Sequence, residues 1–246
     1  MKKLAALLVL CTITFETFAQ TSGQIATYTP GVGAETDGLY LYAMGDIESK
    51  LAKLNYEDNS IEGSPYMSNL FDKAKLYYGD ESVGNVYYRY NAYNEEIEIK
   101  QTNINDEPVR GLSKDKQIRL VVNGKPMMFR TFIDKKGKTK NGYVTLLTDG
   151  DYKLYEHLKV VFKEAKKAEN SLVQSSPAKF SQFTEYYLEG PDGKRIDEIE
   201  LSNKKVLSAV GADNTSKLKV YLKENNIKIK NVQDLQKVVH FLNGQS

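Results

Sequence analysis

Residues Val83–Gln101 read VGNVYYRYNAYNEEIEIKQ, and two alternating runs lie within them. In Val86–Asn91, Val86, Tyr88 and Tyr90 share one face while Tyr87 and Arg89 take the other. In Glu95–Gln101, Ile97 and Ile99 share a face opposite Glu96, Glu98 and Lys100. Side chains on an extended strand alternate between faces, so a period of two marks strands with one apolar side. A short polar connection at Ala92–Asn94 joins the runs. Together they predict an antiparallel hairpin, buried on one side and wet on the other.

The same period recurs outward from this hairpin. Ala74–Tyr78 precedes it and is placed to pair with it, after a turn at Gly63–Met67 and apolar anchors at Leu70 and Phe71. Gln117–Val122 puts Ile118, Leu120 and Val122 on one side. Asn123-Gly124 is a two-residue turn signal, and Met127–Ile133 returns from it, with Pro126 lacking a ladder donor. Asp134–Gly142 is predicted as a charged, solvated hairpin tip, followed by a strand at Tyr143–Leu147 and a turn at Thr148–Asp151. From Tyr152 the alternation is longest: Tyr152, Leu154, Leu158, Val160 and Phe162 point one way, interrupted by Glu156. Lys153, Tyr155, His157, Lys159 and Lys163 point the other way, toward a face predicted to be exposed. Glu164–Lys179 reads as a polar insertion, and Phe180–Leu188 with Arg195–Leu201 as a hairpin about Pro191-Asp192-Gly193.

Upstream, Gly38–Met44 (GLYLYAM) is apolar on both faces and is predicted as a central strand. Asp46 is a cap for a short helix carrying Ile47, Leu51 and Leu54, and Asn103–Lys116 is a loop. After Ser202 the period changes. Leu218, Tyr221 and Leu222 fit one helix; Leu235, Val238, Val239 and Leu242 fit another, with Asn231 as its cap and Gly244 as its stop. Strands first and helices last predict an α+β protein: an antiparallel β-meander, as an open sheet or partial barrel, with short C-terminal helices.

The chain opens MKKLAALLVLCTITFETFAQ: Lys2 and Lys3, an apolar run from Leu4 to Phe15, and small-x-small Thr17-Phe18-Ala19. That is the pattern of a cleaved export signal, and the run is too short to cross a bilayer as a helix. The expected organisation is a signal at 1–19, a flexible leader at 20–37, an antiparallel β domain at 38–201 and a helical segment at 202–246 packed on the sheet. Cys11, the only cysteine, follows Leu10 and falls inside the signal, with lipidation as an alternative. The mature chain then has no disulfide or thiol chemistry, which fits a periplasmic or extracellular address and a fold held by its core. Without Lys2, Lys3 and Glu16, 34 basic and 32 acidic residues become 32 and 31. This near balance argues against a nucleic-acid partner, and no second apolar run of membrane length follows.

The segments GSPYMSNLF, YYRYNAYNEEIEI, GYVTLLTDGDYKLYEHLKVVFKEAK and DLQKVVHFLN, in this order, resemble a group of exported, functionally uncharacterised proteins of Bacteroidota. The FAQ ending of the signal is similar to theirs. The resemblance implies a shared fold and an exported location; it assigns no catalytic residue and no cofactor.

The chemistry-bearing residues are sparse. Two histidines, His157 and His240, are a poor start for zinc, and Asp149-Gly150-Asp151 reads as a turn before it reads as a calcium loop. No G-x-S-x-G elbow and no glycine-rich phosphate loop occur, although either histidine could serve as a base in a triad assembled by the fold. Glu95, Glu96 and Glu98 supply enough carboxylates for a glycosidase-like hydrolase, but Arg89 and Lys100 on the same face explain Glu96 and Glu98 as cross-strand pairs. Of the 17 tyrosines, Tyr87 and Tyr93, with Arg89 and Glu96, form the candidate contact patch. The leading expectation is an exported non-catalytic protein that binds a partner protein or an envelope component. A carrier of a lipid or other apolar small molecule in a curved-sheet cavity, and a carboxylate-dependent hydrolase, are the alternatives.

Overall fold

The computed structural model describes residues 34–45, 61–166 and 175–244. The expected export signal, most of the expected leader and the helix expected after Asp46 lie outside those residues, as does the middle of the insertion expected at 164–179. The elements in chain order are α1 (Ala34–Ala43), β1 (Met44–Gly45), β2 (Asp72–Tyr78), β3 (Glu81–Asn91), β4 (Glu96–Lys100), β5 (Arg110–Leu112) and β6 (Ile118–Val122). Then follow β7 (Lys125–Ile133), β8 (Thr139–Thr148), β9 (Lys153–Lys163), β10 (Lys179–Glu189), β11 (Ile196–Glu198), α2 (Asn203–Ala209), α3 (Ala212–Glu224) and α4 (Val232–Leu242). The described chain is therefore α+β and mostly antiparallel.

Among the described residues, eleven strands form one hydrogen-bonded sheet in the order β1-β5-β4-β3-β2-β6-β7-β11-β10-β9-β8. An additional β7–β8 pairing joins its end back to β7, so β7, β8, β9, β10 and β11 make a ring. One parallel bridge, Asp197↔Ile133, closes it. Met128, Phe132, Val144, Tyr155, Tyr187 and Ile196, contributed by all five ring strands, pack together and fill its interior. On the outer face, Leu154 and Leu188 meet Val206, Leu218, Leu235, Val238 and Val239 of the three C-terminal helices. Each such buried aliphatic side chain contributes about 1.5–3 kcal/mol of transfer free energy. A third cluster, with Leu76, Tyr88, Tyr90, Ile97, Ile99 and Leu120, packs the β2–β6 part of the sheet against Val160 and Phe180 at the far end of the β9–β10 hairpin.

Local chemistry sets two of the boundaries. Asn123 (φ 50°) and Gly124 (φ 78°) both take the left-handed backbone of a two-residue hairpin turn between β6 and β7. The Asn231 side chain accepts from the Asp234 backbone N–H and caps α4.

Three expectations need correction. Gly38–Met44 is not a strand: Gly38–Ala43 belong to α1, with Ala43 buried and Leu41 and Tyr42 exposed. A short run apolar at every position carries no period, so alternation cannot separate strand from helix there. The expected loop 103–116 contains β5, which pairs with β4 and β1. The hairpin's polar face is not wet, because Glu96, Glu98 and Lys100 are only 4%, 5% and 8% exposed. The guanidinium of Arg89 bonds Glu98 and lies 4.2 Å from the Tyr66 ring centroid and 4.6 Å from that of Phe71, and these side chains roof that face.

Candidate functional site

β8 and β9 pair as far as Val144↔His157 and then part. β8 continues with β7 to Thr139↔Ile133, while β9 continues with β10 to Lys163↔Lys179. The tip of the β3–β4 hairpin enters this fork. At its apex Glu95 has φ 54°, a left-handed conformation that costs a residue with a Cβ about 1–2 kcal/mol. The carboxylate is held from several sides: Oε1 bonds His157 Nε2 at 2.7 Å, and Oε2 accepts from the Tyr90 hydroxyl at 2.6 Å and the Tyr143 backbone N–H at 3.1 Å. It lies flat on Gly142, where a Cβ would stand 2.7 Å from Oε2.

His157 sits at the end of the ring interior, its ring centroid 4.9 Å from that of Phe132. It is 5% exposed, not on an open face as expected from the alternation. Tyr155 and His157 do share a face, as the alternation predicts; alternation does not express that this face turns into a closed ring. On the far side of the imidazole, Nδ1 is 3.4 Å from Glu185 Oε2. Glu185 also accepts from Lys159 Nζ at 2.6 Å and from the Tyr187 hydroxyl at 3.0 Å.

Burial disfavours the charged imidazole, but the hydrogen bonds to Glu185 and Glu95 outweigh it and raise the His157 pKa to about 9. Burial likewise pushes the Glu185 carboxyl up, and His157, Lys159 and Tyr187 reverse that and hold it at about 2. Burial, reinforced by the adjacent Glu95 charge, keeps the Tyr90 hydroxyl well above its ordinary pKa. At neutral pH the His157 ring is therefore an imidazolium, with Glu185 on one side and Glu95 on the other. Both ring nitrogens then carry protons, leaving no lone pair for general-base or nucleophilic chemistry. Neither partner of His157 is a serine. His240 lies on α4, outside this centre. Among the described residues, no group of three or more His, Cys, Asp or Glu side chains is arranged to hold a metal ion.

The network surfaces at Lys159, whose side chain is 46% exposed. Beside it lies an open groove of about 480 Å³ lined by Lys135, Lys159, Val161, Phe183, Glu198 and Leu201. Phe183 is 51% exposed, and the Lys135 backbone N–H donates to Glu198 Oε2 at 2.7 Å. The groove opens where β11 leaves β10: their pairing covers only Tyr187–Glu189 of β10.

The four residues of the candidate contact patch do not share one surface. Arg89 bonds Glu98, and Tyr87 is half-buried with Lys73 Nζ 5.8 Å from its ring centroid. Glu96 is buried and accepts from Asn94 Nδ2 at 3.3 Å. Tyr93 turns to the other side, with its ring centroid 5.3 Å from that of Phe180. Nothing in the local sequence pattern singles out Glu185, Lys135 or Phe183. The register that sets His157 opposite Glu185 follows from the β9–β10 hairpin, but nothing local brings Glu95 across 62 positions to meet them.

Compared with known proteins, the chain matches no family model, no curated protein and no solved structure.

Proposed function

We propose that the chain is an exported, non-catalytic protein of the periplasm or the extracellular space that binds a partner protein through the groove beside β10. Its sheet is read as an antiparallel meander curled at one end into a partial barrel, and its kin as the exported Bacteroidota group. The observation that carries the binding role is the groove itself, which sets an exposed aromatic ring, Phe183, and an open strand edge next to side chains of both charges. The side-chain packing of the ring interior favours this role over storage of an apolar ligand. The doubly bonded His157 favours it over hydrolysis. No helix among the described residues is long and apolar enough to cross a membrane.

A photo-crosslinking residue at Phe183, compared with one at exposed Val220 on α3, tests this in cells that produce the protein. The expected result is a protein adduct specific to position 183 in the exported fraction. Equal labelling at both positions, or a chain retained in the cytoplasm, refutes it. A lipid-sized mass retained in native mass spectrometry would favour the carrier instead.

A further inference from the structure

We infer that β10 accepts a short extended peptide as an added strand at Gln182–Thr184; this names the occupant of the groove and rests on the binding role proposed above. β10 pairs with β9 from Lys179 to Glu189 without a break in register. Among the described residues its opposite edge is filled only at the two ends. At one end Phe180 N–H donates to Glu62 O at 2.9 Å, and Glu62 N–H donates to Ala178 O at 2.9 Å. At the other, β11 pairs with Tyr187–Glu189, and Ile199 N–H donates to Tyr186 O at 2.8 Å.

Phe180 and Tyr186 thus direct their main-chain groups to the same edge. Hydrogen-bonding direction alternates along a strand, so the N–H and C=O groups of Gln182 and Thr184 face that edge too. Among the described residues no strand meets them there, and Gln182, Phe183 and Thr184 are all exposed. The Gln182 side chain donates to Ser64 O at 3.2 Å and Tyr66 O at 2.8 Å, which holds the 64–66 segment as one wall of the slot. From Ser181 to Glu185 the opening is about 13 Å long at ~3.3 Å per residue.

An unpaired edge of alternating donors and acceptors is complementary to one thing above others, an extended polypeptide backbone. The blocked ends decide which kind. The β10 of a second copy would bring its own Glu62 and β11 with it, and both ends of the slot are already filled. The occupant must enter and leave within about five residues, as a chain terminus or a loop of a partner protein does. Its residue opposite Phe183 lies on the groove face, next to Val161 and to Lys159, the cross-strand partner of Phe183. An aromatic or aliphatic side chain there covers the exposed Phe183 ring.

Short random peptides displayed on phage, selected against the full-length protein and then synthesised, are the probe. The expected result is binding that weakens about tenfold or more with Thr184→Pro, which removes one edge donor, and with N-methylation of alternate peptide residues. Hydrogen exchange at the Gln182 and Thr184 amides slows in the complex, and Val220→Ser changes nothing. The Thr184 N–H faces away from β9, so the proline spares that ladder; the N-methylated series leaves the protein untouched should the variant not fold. Peptides that tolerate both changes but are lost with Phe183→Ser overturn strand addition while the groove stays a binding site. No enriched peptide, or peptides indifferent to all three changes, overturns both. A dimer dissolved by Thr184→Pro overturns the peptide occupant in favour of a second copy.

Discussion

His157→Gln removes the one cation between Glu95 and Glu185 while keeping a side chain that can hydrogen-bond, and its consequence depends on pH. The imidazole titrates near its ordinary 6.5 when the chain is unfolded and at about 9 when folded. A folded pKa raised above the unfolded one stabilises fully below about 6.5 and loses that stabilisation as pH rises through about 9. Two and a half pH units correspond to about 3.4 kcal/mol at most; between pH about 6 and about 9.5 the native protein should lose about 3 kcal/mol of it. With a urea dependence of about 2–3 kcal/mol per molar, that moves the unfolding midpoint by about 1 M. Tyrosines with raised pKa values, Tyr90 and Tyr143 among them, also begin to destabilise the fold at alkaline pH. They do so in both proteins, so the difference between wild type and His157→Gln isolates the histidine. Urea unfolding at a series of pH values, followed by circular dichroism, measures that difference. A wild-type advantage that stays constant from pH about 6 to about 9.5 would show that His157 is not an imidazolium, and the charge arrangement drawn for the fork would be wrong.

Gly142→Ala places a methyl against the pinned Glu95 carboxylate and is expected to cost about 1–3 kcal/mol. In a Glu95→Ala background the same substitution should cost far less, because nothing remains to collide, and a double-mutant cycle of unfolding free energies reads the coupling. Asn243, at the end of α4, accepts from the Tyr152 N–H at 2.7 Å and donates to Tyr152 O at 2.9 Å and Asp149 O at 3.2 Å. Asn243→Ala should therefore cost about 1–3 kcal/mol, seen as a Tm lowered by about 3–10 °C.

The residues alone determined the class of the fold. Alternation in Val86–Lys100, Ile118–Ile133, Tyr152–Lys163 and Phe180–Leu188 is a local property, set by the opposed directions of successive side chains on a strand, and it survives in β3, β4, β6, β7, β9 and β10. The Asn231 cap and the apolar positions of α4 are equally local. What alternation cannot express is which sheet faces meet other layers. His157 reads as exposed until β7–β11 close into a ring, and Glu98 reads as wet until Tyr66 and Arg89 cover it. The meeting of Glu95 with His157 and Glu185 depends on a fork between β8 and β9 and on a hairpin tip from another part of the chain. The open edge of β10 depends on where β11 stops pairing. Both are matters of long-range pairing, which tertiary packing decides and short-range periodicity does not record.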